Sequence, residues 1–175
     1  EPFVQSPPYT FQYECDTLPE SEITRAHHRW SQDAACQHQS KQAEVLLALR
    51  HRDVRWLREQ AVSFEGHRYL FIPKYLTWDA AHALCRELGG HLLTITSREE
   101  NTFIASLMPE GSWFWLGLTT TENGHEWVTG EPFGFCNFVD PIRERLIGEK
   151  VFCSGAWYSE VYVGVSNCFM IEWDD

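Results

Sequence analysis

Residues Trp113-Phe-Trp-Leu-Gly-Leu118 form an unbroken apolar run of strand length. A strand with one wet face alternates apolar and polar side chains, so a run this continuous belongs inside a sheet rather than at a one-sided surface. Trp115, Leu116 and Leu118 are therefore assigned to a central, buried strand, with Gly117 admitting close packing. The remaining elements must surround it.

Short strands and capped helices supply that surround. Val62-Ser-Phe64 and Arg68-Tyr-Leu-Phe-Ile72 on either side of Gly66 predict a tight hairpin, with Pro73 as its stop. Thr77 can cap a helix whose apolar face holds Ala80, Ala81, Leu84, Cys85 and Leu88, closed by Gly89-Gly90. Ser97-Arg-Glu-Glu100 is a capping box opening a second helix with Phe103, Ile104 and Leu107. Glu126-Trp-Val128, Glu149-Lys-Val-Phe152 and Cys168-Phe-Met-Ile-Glu-Trp173 read as further strands, separated by turn-rich segments. Trp78, Ala81, Leu84, Leu88, Leu92 and Ile95 are expected to bury the first helix and the strand after it against the central run.

The first 62 residues have a different grammar. Residues 1–16, rich in Pro and aromatics without periodicity, read as an extended arm, and Thr17-Leu-Pro-Glu20 has the form of a capping box that starts a helix. Apolar residues then recur in three- and four-residue steps at Ile23, Ala26, Trp30, Ala34, Val45, Ala48, Leu49 and Trp56. The polar stretch Gln37 to Gln42 interrupts them, so one broken helix or two are expected. The basic segment Arg50 to Arg58 reads as a solvated face, with contact to an acidic partner or membrane surface as the alternative. The chain is thus divided into residues 1–62, an arm plus helix or helical hairpin that positions or oligomerises the module, and residues 63–175, the main domain.

Charge and cysteine usage narrow the function. The net charge of −11 falls mostly on residues 63–175, which hold seven Lys/Arg against sixteen Asp/Glu. Nucleic acid is excluded as a partner, since phosphate binding needs a basic face. No apolar run approaches the roughly 20 residues of a transmembrane helix, and a chain beginning at Glu1 without a signal-peptide profile reads as a processed piece. Six cysteines are compatible with three disulfides and an oxidising compartment, and no C-x-x-C pair points to a zinc ribbon. The one Cys-x-His pair, Cys36 and His38, would point to different sides of a helix. Nucleophile-elbow, phosphate-loop and metalloprotease motifs are missing from the sequence, so no enzyme is expected.

Seven motifs occur in an order that resembles the C-type-lectin-like domain: Trp78-x-x-Ala81-x-x-x-Cys85, Gly89-Gly-His-Leu-Leu-Thr-Ile95, Ser97-Arg-Glu-Glu-Asn101, Trp115-Leu-Gly-Leu118, Glu126-Trp-Val-Thr-Gly-Glu-Pro132, Ala156-Trp157 and Phe169-Met-Ile-Glu-Trp173. The resemblance spans about residues 63–173. It implies an α+β fold of two helices, small antiparallel sheets and a long irregular loop. Thr129-Gly-Glu-Pro-Phe133 and Met170-Ile-Glu-Trp-Asp174 look most like bacterial members.

Sugar-binding members hold calcium with an acid-Pro-amide or amide-Pro-acid triplet in the long loop, a following Glu, and an Asn-Asp pair after the Trp. The corresponding residues here resemble Asp140-Pro-Ile142, Glu149 and Tyr158-Ser159, so only Asp140 and Glu149 remain as strong ligands where a hard cation wants six to eight oxygens. No metal or cofactor is therefore expected. Calcium held by Asp140, Glu149 and Glu160 is the alternative, with Glu131 and Glu144 as further substitutes. The resemblance also implies a partner for Cys85 in the last strand, but that position looks like Ile171, with Cys168 at an odd offset that points to the other face. Cys136 with Cys153 and Cys15 with Cys36 are the other conceivable pairs, and free buried thiols are the alternative.

The expected function is recognition of a protein or glycan ligand without calcium. The rivals are a calcium-dependent lectin and a structural component of a larger assembly. The loop from about Gly130 to Tyr158 is expected to carry binding through Asp140, Arg143, Arg145, Glu149 and Tyr158, with Phe135 and Phe138 packed inward. An extracytoplasmic or secreted location is expected, with a cytoplasmic module of a larger protein as the alternative.

Overall fold

The computed structural model describes residues 19–21, 23–25, 37–109, 112–139, 147–160 and 167–175. The arm, most of the first expected helix, Cys15, Cys36 and loop residues 140–146 lie outside the described residues. Residues 20, 21 and 23–25 are helical, and the amide of Ile23 donates to the Pro19 carbonyl at 3.3 Å, where the capping box places a first turn.

Among the described residues, α1 (Gln37–His51) and α2 (Val54–Gln60) follow that turn and lead into the sheet. The polar stretch 37–42 is itself helical and holds the first described residues of α1. The break falls at Arg52, which takes a left-handed φ of 54°, while the Asp53 side chain accepts from the Trp56 amide at 3.0 Å and caps α2. The basic segment is solvated and paired in cis: Arg52 meets Glu87 at 2.9 Å, Arg55 meets Glu59 at 3.0 Å, and Arg58 meets Asp175 at 3.3 Å.

The strands β1 (Val62–Phe64) and β2 (His67–Leu76) form the expected hairpin. Glu65 and Gly66 both have positive φ, 48° and 89°, which is the turn whose twist matches flanking antiparallel strands. Pro73 does not stop β2. The strand runs through it because its register against the last strand shifts between Ile72 and Leu76, where no ladder amide is required. Next come α3 (Trp78–Glu87), β3 (His91–Leu92), α4 (Arg98–Leu107), β4 (Phe114–Thr121), β5 (Gly124–Trp127), β6 (Lys150–Ser154), β7 (Ala156–Glu160) and β8 (Asn167–Asp174). Thr77 and Ser97 cap α3 and α4 as expected, although the Glu100 carboxylate reaches past Ser97 to the Thr96 amide at 2.7 Å. Ala80, expected on the buried face of α3, is exposed. The strand expected at Glu149–Phe152 is β6, and residues 153–158, expected within the long loop, continue it into the β6–β7 hairpin instead.

The sheet order is β1-β2-β8-β4-β6-β7, with β3 paired to β8 and β5 to β4. The β4–β8 pair is parallel and the others antiparallel. Strand β4 is central, as its composition requires. Phe114, Leu116 and Leu118 face one apolar cluster with Val151, Cys153, Trp157, Cys168 and Met170. Trp115 faces the other with Phe152, Phe169, Ile171 and Trp173, and there α1, α2 and α3 add Val45, Leu49, Leu57, Trp78 and Leu84. The period-two alternation along β4, β6 and β8 thus separates two cores. A side chain at Gly117 would meet the Leu92 carbonyl oxygen and Val128 Cγ2 at 2.7 Å. Three indole N–H groups lock α3 and the strands together: Trp78 donates to the Leu116 carbonyl at 2.8 Å, Trp115 to Leu76 at 2.8 Å, and Trp173 to Leu88 at 3.0 Å.

The same alternation decides the cysteines. Cys85 sits in the helix-side cluster and Cys168 in the opposite one, so the sheet stands between them. Cys153 and Cys168 both face Phe114 from flanking strands, two strand spacings or about 9–10 Å apart, beyond disulfide reach. Cys85, Cys136, Cys153 and Cys168 are free thiols, Cys136 alone of them exposed. Burial pushes Cys153 and Cys168 up to about 11.

Candidate functional site

The long loop leaves β5 and is zipped to β7 by Trp157. The fully buried indole takes edge contacts from Trp127 at 5.7 Å, Phe135 at 5.7 Å and Phe138 at 5.6 Å, and its N–H donates to Asn101 Oδ1 at 3.2 Å. The Trp157 amide donates to the Asn137 carbonyl at 2.9 Å, the Val139 amide to the Trp157 carbonyl at 3.1 Å, and Asn137 Nδ2 to the Gly155 carbonyl at 2.9 Å. His125 packs on both Phe133 and Phe138, each at 5.0 Å. Phe135 and Phe138 therefore pack inward, which fixes the loop's first half to the scaffold. Val139 and Ile147, where the described loop breaks off and resumes, are exposed.

On the opposite face of the β6–β7 hairpin, Tyr158 stacks on its cross-strand partner Phe152 at 5.7 Å, and Trp113 closes over both at 5.1 and 5.3 Å. Trp113 stays 42% exposed and Tyr158 half-buried. A rigid aromatic group with one open edge is suited to macromolecular contact. Lys150 lies beside this group with its ammonium 3.8 Å from the Trp78 ring centroid, and burial lowers its pKa from the ordinary lysine value.

The expected site residues fall unequally on this surface. Asp140, Arg143 and Arg145 lie outside the described residues, as does the side chain of Glu160 at the end of β7. Glu149 is fully buried at the foot of β6, and its carbonyl accepts from the Thr120 amide at 3.1 Å and the Thr119 hydroxyl at 3.2 Å. Tyr158 is the one expected contact placed at the surface. Trp113 and the exposed Ile147 are not predicted from sequence, because an aromatic in an apolar run, or a lone Ile in a loop, carries no local signal of exposure.

A second polar centre also escapes sequence reasoning. Glu172 Oε2 accepts from the Thr94 amide at 2.8 Å and hydroxyl at 3.0 Å, while Glu100 accepts from the Tyr69 hydroxyl at 2.6 Å and the Thr96 amide. Burial is the main cause that pushes the Glu172 carboxyl up to about 8, against the pull of the Thr94 amide. A carboxylate inside the otherwise apolar run 168–173 is the available clue.

Residues 74–169 match the family model described as the Lectin C-type domain. The chain is 33% identical over 122 residues to one polypeptide of the snaclec coagulation factor IX-binding protein of Protobothrops flavoviridis, covering 63% of this chain and 94% of that polypeptide. It is 36% identical over 95 residues to the beta polypeptide of the snaclec botrocetin of Bothrops jararaca, covering 50% and 76%. Among solved structures, the carbohydrate-recognition domain of the human scavenger receptor C-type lectin superposes with a TM-score of 0.58 at 25% identity, covering 66% of this chain and 96% of that one. None of these three is bacterial, so the expected likeness to bacterial members finds no support in them.

Proposed function

Because the chain belongs to the C-type lectin domain family, we propose that its long-loop face recognises a protein partner without the calcium-dependent sugar site for which the family is named. The molecule is a recognition module and not an enzyme. The observation that carries the proposal is the fate of the two residues after Trp157, where calcium-binding members place acidic and amide oxygens. Tyr158 spends its ring on the Phe152 and Trp113 stack, and Ser159 is buried with a neutral hydroxyl. The position supplies aromatic surface instead of anionic oxygens. A relative whose name records factor IX binding supports a protein as the partner class.

On this reading Arg143, Arg145 and Tyr158 make the contact, and residues 1–62 position the module or join it to a larger assembly. The module works outside the cytoplasm. The test is affinity for the native partner, with Arg143→Ala combined with Arg145→Ala. Binding should weaken at least tenfold, about 1.4 kcal/mol, while far-ultraviolet circular dichroism stays unchanged. Unchanged affinity, or a partner footprint confined to residues 1–62, refutes the proposal.

A further inference from the structure

The end of the sheet away from the loop gathers four metal-ligating side chains from three strands. In β8, Glu172 and Asp174 are two residues apart and so share a face. The register sets His67 of β2 directly opposite Asp174, and His91 of β3 directly opposite Glu172. One donor atom from each of His67, Glu172 and Asp174 lies within 4.8 Å of the others. His67 Nδ1 is 2.9 Å from Asp174 Oδ1 and 3.0 Å from Glu172 Oε1, and His91 Nε2 is 3.4 Å from Asp174 Oδ1.

Glu172 supplies the independent sign of a ligand. Its side chain is fully buried, and while Oε2 is held by Thr94, Oε1 accepts no hydrogen bond from any described residue. The single proton that Nδ1 of His67 can carry serves one acceptor, and it is aligned with Asp174. A buried carboxylate oxygen aimed at a ring nitrogen and left unserved costs stability, and a cation among the three atoms would satisfy all of them.

We infer that His67, Glu172 and Asp174, bordered by His91, form a zinc-class metal site that ties the last strand to β2 beside β3. Tetrahedral ligation at about 2.0–2.1 Å sets ligand atoms about 3.3–3.4 Å apart, a few tenths of an ångström beyond the 2.9 and 3.0 Å from His67 Nδ1 to the two carboxylates here. Nitrogen together with only a few oxygens suits zinc, whereas calcium wants six to eight oxygens. The His91 Nδ1 lies 3.0 Å from the Leu92 carbonyl, and donation there turns Nε2 toward the cluster, the orientation a metal-facing imidazole needs. Asp174 is 66% exposed and leaves a path of entry. The site stands apart from the long loop, so its metal acts on the fold and not on the partner.

The full chain, stripped with chelator, is titrated with zinc chloride by calorimetry and followed by thermal melting. One zinc per chain should bind and raise Tm by several degrees at saturation. His67→Ala and Asp174→Asn, both at partly exposed positions and checked by circular dichroism, should each abolish the shift, and His91→Ala should weaken binding. Cobalt in place of zinc should give visible bands without a thiolate charge-transfer band. No zinc-dependent shift, a shift retained in both His67→Ala and Asp174→Asn, an equal shift with calcium, or a cobalt–thiolate band overturns the assignment.

Discussion

His82 on α3 is a half-buried base with one ring nitrogen sealed from solvent. Its ring stacks on Trp78 at 5.0 Å, and among the described residues its buried Nδ1 has no hydrogen-bond partner. Burial first, then the Arg86 and Lys150 charges, lower its pKa from the ordinary 6.5. The folded chain therefore protonates this imidazole only at lower pH than the unfolded chain, which protonates it near 6.5. Below that pH the unfolded state binds more protons, so this contribution to stability is intact above 6.5 and declines as pH falls through it. His82→Phe keeps the stacking and removes the proton. Denaturant titrations from about pH 7.5 to about pH 5.5 should show a smaller loss of stability in the variant than in the natural chain; parallel pH profiles would contradict this reading.

At the level of elements, α1 and α2 are part of the sheet's core. Val45, Leu49 and Leu57 are buried in the cluster that holds Ile72, Trp78, Trp115 and Ile171, and α2 is linked to the C-terminus through Arg58 and Asp175. Uncovering several side chains of this size costs about 1.5–3 kcal/mol each, a large share of a domain's roughly 5–15 kcal/mol. Residues 63–175 alone should therefore melt at least about 10 °C lower than the full chain, or bind a hydrophobic dye, a shift of about 2–4 °C accompanying each kcal/mol in a chain of this size. An unchanged, cooperative melt would make the helices a separable stalk. Much of this architecture was legible: the caps at Thr77 and Ser97, the central Trp115-Leu-Gly-Leu118 strand and the odd offset of Cys168 all follow from local chemistry and period. The break at Arg52 was not, because a left-handed Arg has no composition signal, nor was β7, whose Tyr-Ser-Glu ending lacks apolar alternation. The His67, His91, Glu172 and Asp174 cluster depends on pairing between strands more than 80 residues apart in sequence, which no local spacing encodes.

For the molecule as a whole, the proposed metal cluster and the proposed recognition face lie at opposite ends of the sheet. One end of the sheet is closed by the polar cluster of β2, β3 and β8, and the other presents the loop and the hairpin aromatics on a scaffold locked by Trp157. Loops held on such a scaffold can change ligand chemistry without changing the fold, which is how a chain can keep the core motifs of a lectin and lose its sugar site. The most direct measurement is glycan binding by the full chain, with calcium at about 1 mM, the level extracellular modules require, and again with chelator. No calcium-dependent glycan signal should appear in either the natural chain or Asp140→Ala. Glycan binding that vanishes on chelation and in Asp140→Ala would contradict it.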